Sequence, residues 1–158
     1  MLNNRKILIY EVISVILLLT SIIPLVDYNS LAGIRIPSHY NISGEVDGWS
    51  DRSFFLKIFV VELIMFIVLC LAQRFPQLIN LPFNVNRNNP EVRALLIDMT
   101  SAIKMWIMSV FTESIVFTYT NAISGTQISP GALCLVLIGL MMVHLIYYCV
   151  RLYRMRER

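Results

Sequence analysis

Four apolar runs, each long enough to cross a lipid bilayer, leave this chain few ways to fold. A hydrocarbon core about 30 Å thick is spanned by about 20 helical residues. Lipid offers backbone amides no hydrogen-bond partners, so runs of this kind are expected to be helices. They cover about residues 7–26, 54–72, 103–123 and 132–150. Arg5 and Lys6 precede the first run, which is too long for a signal-peptide core and lacks a small-residue cleavage site after it. It reads as a retained helix ending near Pro24. Arg74 and Pro76 stop the second run. Asn89-Pro90-Glu91 reads as N-cap, proline at the first helical position and acid in the first turn, so the third helix should start well before its apolar part. Pro130-Gly131 opens the fourth run and an arginine-rich tail closes it.

The 158 residues are thus expected to form one domain, an all-α integral membrane bundle of four transmembrane helices. The composition agrees: 57% of residues are hydrophobic and 15% are charged, where soluble domains carry about 25% charged residues. Lys and Arg set the expected orientation. Arg5 and Lys6, then Arg74, Arg87 and Arg93, then Arg151, Arg154, Arg156 and Arg158 fall on one side. The 27–53 connection has only Arg35 and Arg52, and the turn at Ser124-Gly125-Thr126 has none. Both termini are therefore expected in the cytoplasm and the 27–53 connection outside. The net charge of +3 then lies at cytoplasmic edges, facing anionic lipid. The short tail has no interleaved aromatics of the kind that would suggest nucleic acid. Cys70, Cys134 and Cys149 lie in apolar runs without metal-ligand spacing and read as buried packing residues.

The first connection carries the chain's densest set of polar side chains, Ile36-Pro37-Ser38-His39-Tyr40-Asn41-Ile42-Ser43-Gly44-Glu45-Val46-Asp47-Gly48-Trp49. Ile34-Arg35-Ile36 alternates like a short strand. Pro37 favours an edge or bend, and Gly44-Glu45 and Asp47-Gly48 are turn pairs. A small hairpin-like cap over residues 34–52 on the outer face is expected, with Tyr40 and Trp49 at headgroup level. His39, Glu45 and Asp47 are its chemically capable groups. They could shape the cap by hydrogen bonding, contact an external peptide, ligate a divalent ion or act as an acid–base pair. The spacing matches no metal motif, and no nucleophile, oxyanion hole or phosphate loop accompanies them. HExxH and GxSxG patterns are absent, and so is any haem or flavin motif. No catalytic residue, metal ligand or cofactor is expected. Asn41-Ile42-Ser43 matches a glycosylation sequon, which carries no such meaning in a bacterium.

Ile-Pro-x-His-aromatic-Asn followed by Gly-Glu-x-Asp-Gly-Trp resembles the signature of a small bacterial membrane domain, found in immunity proteins against the sporulation-delaying toxin (the SdpI-like family) and in many relatives of unknown function. The resemblance marks Pro37, His39, Asn41, Gly44, Glu45, Asp47 and Trp49 as signature positions. It implies residence in the bacterial cytoplasmic membrane, protection against a secreted peptide toxin, and reception that draws a cytoplasmic regulator to the membrane.

Ionisable residues inside the apolar runs are costly and mark pairing or functional sites. Lys57 and Lys104 lie near span ends and are expected to snorkel to the interface. Glu62 and Glu113 lie near mid-span at similar depth and could share a proton. Glu11 and His144 lie in the cytoplasmic half and could pair. These four read as interhelical polar contacts or, alternatively, as the working groups of a small ion- or proton-coupled transporter or subunit. Met105, Trp106, Met108 and Phe111 read as packing.

Overall fold

A computed structural model describes residues 4–41, 43–126 and 131–156. Ile42, Pro130 and Arg158 lie outside the described residues. The chain runs α1 (Asn4–Thr20), α2 (Ile23–Val26), β1 (Ile36–Tyr40), β2 (Val46–Ser50), α3 (Ser53–Arg74), a single 3₁₀ turn (Pro76–Leu78), α4 (Pro90–Ser124) and α5 (Gly131–Arg154). Four helical segments, Arg5–Val26, Ser53–Arg74, Pro90–Ser124 and Gly131–Arg154, are long and apolar enough to cross a membrane. The chain is a multi-pass helical membrane protein with one small sheet.

The first span is interrupted sooner than Pro24 alone suggests. α1 stops at Thr20, two residues form a turn, and α2 restarts with Pro24 in its first turn. Proline has no N–H to donate back to Thr20, so an unbroken helix would lose that bond. The break leaves Ser21 fully buried against α4.

α4 begins where the capping signal placed it. Asn89 Oδ1 accepts from the Glu91 N–H at 2.8 Å. Gly125, at φ +67°, ends the helix in the left-handed conformation that glycine adopts without strain. Its 35 residues make a rod about 52 Å long, longer than the hydrocarbon is thick.

α4 is also the axis of the bundle. α1, α3 and α5 all pack on it. The apolar window of α4 is 44% buried, against 17% for the first span, 11% for α3 and 6% for α5. The cause is in the side chains. α4 presents Thr100, Ser101, Ala102, Thr112, Thr118 and Asn121 as buried positions, and small or hydroxyl residues let helices approach closely in lipid. The outer helices turn Leu, Ile and Val outward, among them Leu8, Ile64 and Leu135.

Two apolar clusters mark the ends. Val92, Leu95, Leu96, Met99 and Ala102 of α4 pack with Tyr148 and Leu152 of α5, covered by Leu81, Phe83 and Val85 of the connection before α4. At the other end Leu31, Ile36 and Phe55 close around Ile115. The second cluster seats the hairpin, because Ile36 is the first residue of β1.

Candidate functional site

β1 and β2 pair antiparallel, with Ile36 opposite Ser50, Pro37 opposite Trp49, His39 opposite Gly48 and Tyr40 opposite Val46. The strand starts at Ile36, two residues after the alternating pattern begins, and bulges on both sides of His39. Asn41 builds the turn. Its Oδ1 accepts from the backbone N–H groups of Ser43 (3.0 Å) and Glu45 (2.9 Å), and its Nδ2 donates to Glu45 Oε2 at 3.0 Å. Gly44 sits at φ +83°, where a Cβ would be strained. A Cβ on Gly48 would lie 2.8 Å from His39 Cβ. Asn41, Gly44 and Gly48 thus shape the hairpin, and Glu45 is held by Asn41.

Three of the remaining signature side chains, His39, Asp47 and Trp49, point outward. His39 Nδ1 and Asp47 Oδ1 form a hydrogen-bonded pair, with the two side chains 71% and 45% exposed. Trp49 is exposed and carries the Arg35 guanidinium over its ring at 5.1 Å. Pro37 is buried on the inner side. Tyr40 accepts from Asn121 Nδ2 of α4 at 3.1 Å, tying the hairpin to the bundle. Among the described residues no three His, Cys, Asp or Glu side chains gather as a metal-ligand set.

Beside the hairpin lies an open cleft of about 730 Å³, walled by Tyr28, Arg35, Trp49 and Arg52. Arg52 donates to the Tyr28 carbonyl at 3.2 Å and lies over its ring at 4.5 Å. Asp51 lines the cleft, and Asp27 directly precedes its wall residue Tyr28. Ser30 and the Tyr119 hydroxyl, which donates at 2.8 Å, hold the Asp27 carboxyl below the usual carboxylate range. Asp51 is held low in the same way by Ser53, whose N–H donates to Asp51 Oδ1 at 2.7 Å where α3 starts. The cleft was not legible in the sequence, because its arginine–aromatic pairs join residues 14 and 24 positions apart.

Inside the span the polar groups assort differently from the sequence expectation. Lys104 does not snorkel: it is 0% exposed and faces α1 and α3. Its Nζ donates to Glu11 Oε2 and to Gln73 Oε1, each at 2.6 Å, and reaches Cys70 Sγ at 3.4 Å. Gln73 Nε2 donates to Glu11 Oε1 (2.8 Å) and Ser101 Oγ (2.5 Å). Snorkelling needs a lipid-facing stem, and the rotation of α4 denies Lys104 one. Glu11 accordingly pairs with Lys104, not His144. His144 Nδ1 accepts from Trp106 Nε1 at 2.9 Å, and its ring stacks on Tyr148 at 5.4 Å. Tyr148 in turn accepts from Lys6 at 2.8 Å, which also bonds Asp98 at 3.2 Å.

Glu62 and Glu113 do not meet. Glu62 is hydrogen-bonded by Thr112, while both buried oxygens of Glu113 lack a hydrogen-bond partner among the described residues. Positions 112 and 113 differ by about 100° around a helix, so similar depth does not bring the two carboxyls to one face. Lys57 is exposed near the N-terminal end of α3, and Met108 is fully buried with Met105, Trp106 and Phe111 partly so. The three cysteines are free and half-buried, not buried as expected, because α3 and α5 turn most of their surface outward.

No curated protein and no solved structure matches the chain. Residues 15–66 are similar to a family described as a domain of unknown function (DUF1648). That segment contains the α1–α2 break, the whole hairpin and Glu62.

Proposed function

We propose that this chain is a toxin-immunity or signal-reception protein of the bacterial cytoplasmic membrane, and that its hairpin cap meets an external peptide. The observation that carries this reading is the division of labour in the hairpin. One side is anchored to the bundle through Ile36 and Tyr40, and the other presents His39, Asp47 and Trp49 to solvent. A polar surface held on a rigid seat is preorganised for binding, because little ordering remains to be done on contact. The adjoining cleft adds two arginines and two aromatics, side chains that suit a carboxylate or an aromatic group of a peptide.

In this reading the hairpin end is outside and both termini are inside. The opposite end carries two smaller clefts, one lined by Arg151 and Arg154 and one by Arg87 and Arg93. They suit anionic headgroups or an acidic face of a cytoplasmic regulator. No enzymatic step, cofactor or nucleic acid enters this proposal.

Topology is tested first. A single cysteine at Ser50, in a chain with Cys70, Cys134 and Cys149 replaced, should react with an impermeant thiol reagent on intact cells. Reaction only after the cells are opened would put the hairpin in the cytoplasm and overturn the external-peptide mechanism. Sensitive cells expressing the chain should then survive a secreted membrane-active peptide toxin. His39→Ala and Asp47→Ala should each abolish that protection at unchanged membrane abundance. Full protection by both variants would remove the cap as the binding surface.

A further inference from the structure

Glu62 is 0% exposed, nine residues into α3, which places it about 14 Å along the helix from its outer end. Its Oε1 accepts from Thr112 Oγ1 at 3.3 Å, and its Oε2 meets no donor among the described residues. Thr112 Oγ1 is contested: the Leu17 carbonyl oxygen and Ser21 Oγ each lie 3.1 Å from it. Ser21 Oγ lies 3.3 Å from that same carbonyl. The cluster therefore owns two hydroxyl hydrogens. With the Ser21 N–H, which donates to Leu17, the donors only equal the two oxygens of an ionised Glu62 and the Leu17 carbonyl. As placed, none of them reaches Oε2, so neutral hydroxyls alone would meet the negative charge.

No countercharge is at hand among the described residues. On α4, Lys104 lies eight residues from Thr112, about 12 Å along the helix, and is occupied by Glu11 of α1. Glu113 is turned about 100° away around α4. On α3, Lys57 is exposed more than one turn toward the outer end. Asp27, just beyond α2, bonds Tyr119. α5, with His144, packs on α4 and makes no extensive contact with α3. A buried carboxylate in such a setting is strongly disfavoured.

We propose that Glu62, Ser21, Thr112 and the Leu17 carbonyl form an intramembrane proton-binding site. With the proton on Oε1 the hydrogen bonds run in one direction. Glu62 donates to Thr112 Oγ1, the Thr112 hydroxyl donates to Ser21 Oγ, and the Ser21 hydroxyl donates to the Leu17 carbonyl. The leftover oxygen is then a neutral carbonyl, far less costly to bury than a carboxylate. Release of the proton requires Thr112 to swing its hydrogen from Ser21 Oγ to Glu62. Leu17 also accepts the Ser21 N–H at 3.0 Å, at the break between α1 and α2, so the site joins the break to α3 and α4. This proposal stands apart from the receptor reading of the cap and does not depend on it.

Two measurements on the full chain in lipid nanodiscs test the site. A hydrophobic carbodiimide, which attacks protonated carboxyls, should modify Glu62 at about pH 6 and much less at about pH 9, as located by peptide mass spectrometry. Glu62→Gln should remove the adduct and remain folded, since glutamine mimics the neutral carboxyl. Glu113→Gln should leave the adduct in place. Infrared difference spectra over the same pH range should show a protonated-carboxyl band that Glu62→Gln eliminates and Thr112→Val shifts in its pH dependence. A spectrum with no band lost in Glu62→Gln would overturn the proposal. So would suppression of the Glu62 adduct by sodium or lithium chloride at fixed pH, which would assign the site to a metal cation.

Discussion

Glu11→Leu is expected to strip folded protein from the membrane, and adding Lys104→Met to restore most of it. Lys104 has no exposed surface, and its ammonium is neutralised by Glu11 and further bonded by Gln73. Removing the carboxylate leaves a buried cation with a neutral amide and a sulfur for partners. Breaking a buried pair in this way costs about 3–5 kcal/mol, a large part of the margin by which proteins are folded. The reverse single variant, Lys104→Met, should be milder. The Glu11 side chain is 32% exposed, and it can turn toward the interface, an escape that Lys104 lacks. The double variant removes both charges and leaves the bond from Gln73 to Ser101 in place. Replacing a buried pair by apolar residues is often neutral or stabilising. Denaturant titration of the purified proteins, with membrane abundance measured in parallel, orders the three variants. Wild-type stability in Glu11→Leu would mean that the knot contributes nothing to holding α1 and α3 on α4.

The second large effect is expected at Gly48. A Cβ there would stand 2.8 Å from His39 Cβ, closer than side-chain carbons approach, and Gly48→Val would add two further methyl groups. The hairpin is a two-stranded sheet with no third strand beside it among the described residues, so the strands can relieve the clash by separating or shifting register. Overpacking costs typically about 1–3 kcal/mol, enough to open a two-stranded hairpin that is marginal by itself and is held to the bundle chiefly through Ile36 and Tyr40. Gly48→Val should therefore lose amide protection across residues 36–50 in hydrogen exchange while the four spans keep theirs. Under the receptor reading it should also lose toxin protection as completely as His39→Ala, although residue 48 presents no side chain to a ligand. Intact hairpin protection in Gly48→Val would show that β1 and β2 tolerate a wider spacing than the structure has. Intact exchange together with lost function would place residue 48 in the contact surface itself.

These two experiments separate two parts of the molecule that are built differently. The knot at Glu11 and Lys104 lies toward the end of the bundle that carries the paired arginines. The hairpin is seated at the other end on Leu31, Ile36, Phe55 and Ile115. Between them lies Glu62, which has no ion pair among the described residues. Failure of one region need not carry the others with it, which makes the variant effects assignable.

Much of this architecture was legible residue by residue. The apolar runs locate the four spans, because partition into lipid depends on the local density of apolar side chains and not on what the helix touches. Asn89-Pro90-Glu91 gives the start of α4, and Gly44 and Gly48 fall in the hairpin, because caps and turns are decided within a few residues by backbone geometry. Rotation of a helix about its axis is another matter. The same 3.6-residue period allows Lys104 to face lipid or α1, and allows Glu62 and Glu113 to meet or to diverge. Packing of α1, α3 and α5 around the small residues of α4 made that choice. It buried Lys104, parted the two mid-span carboxyls, gave Glu62 two hydroxyls in place of a cation, and gathered Arg35, Arg52, Tyr28 and Trp49 around one cleft. Lipid exposure is a property of a segment and can be read along the chain, whereas facing is a relation between segments and exists only once they are packed.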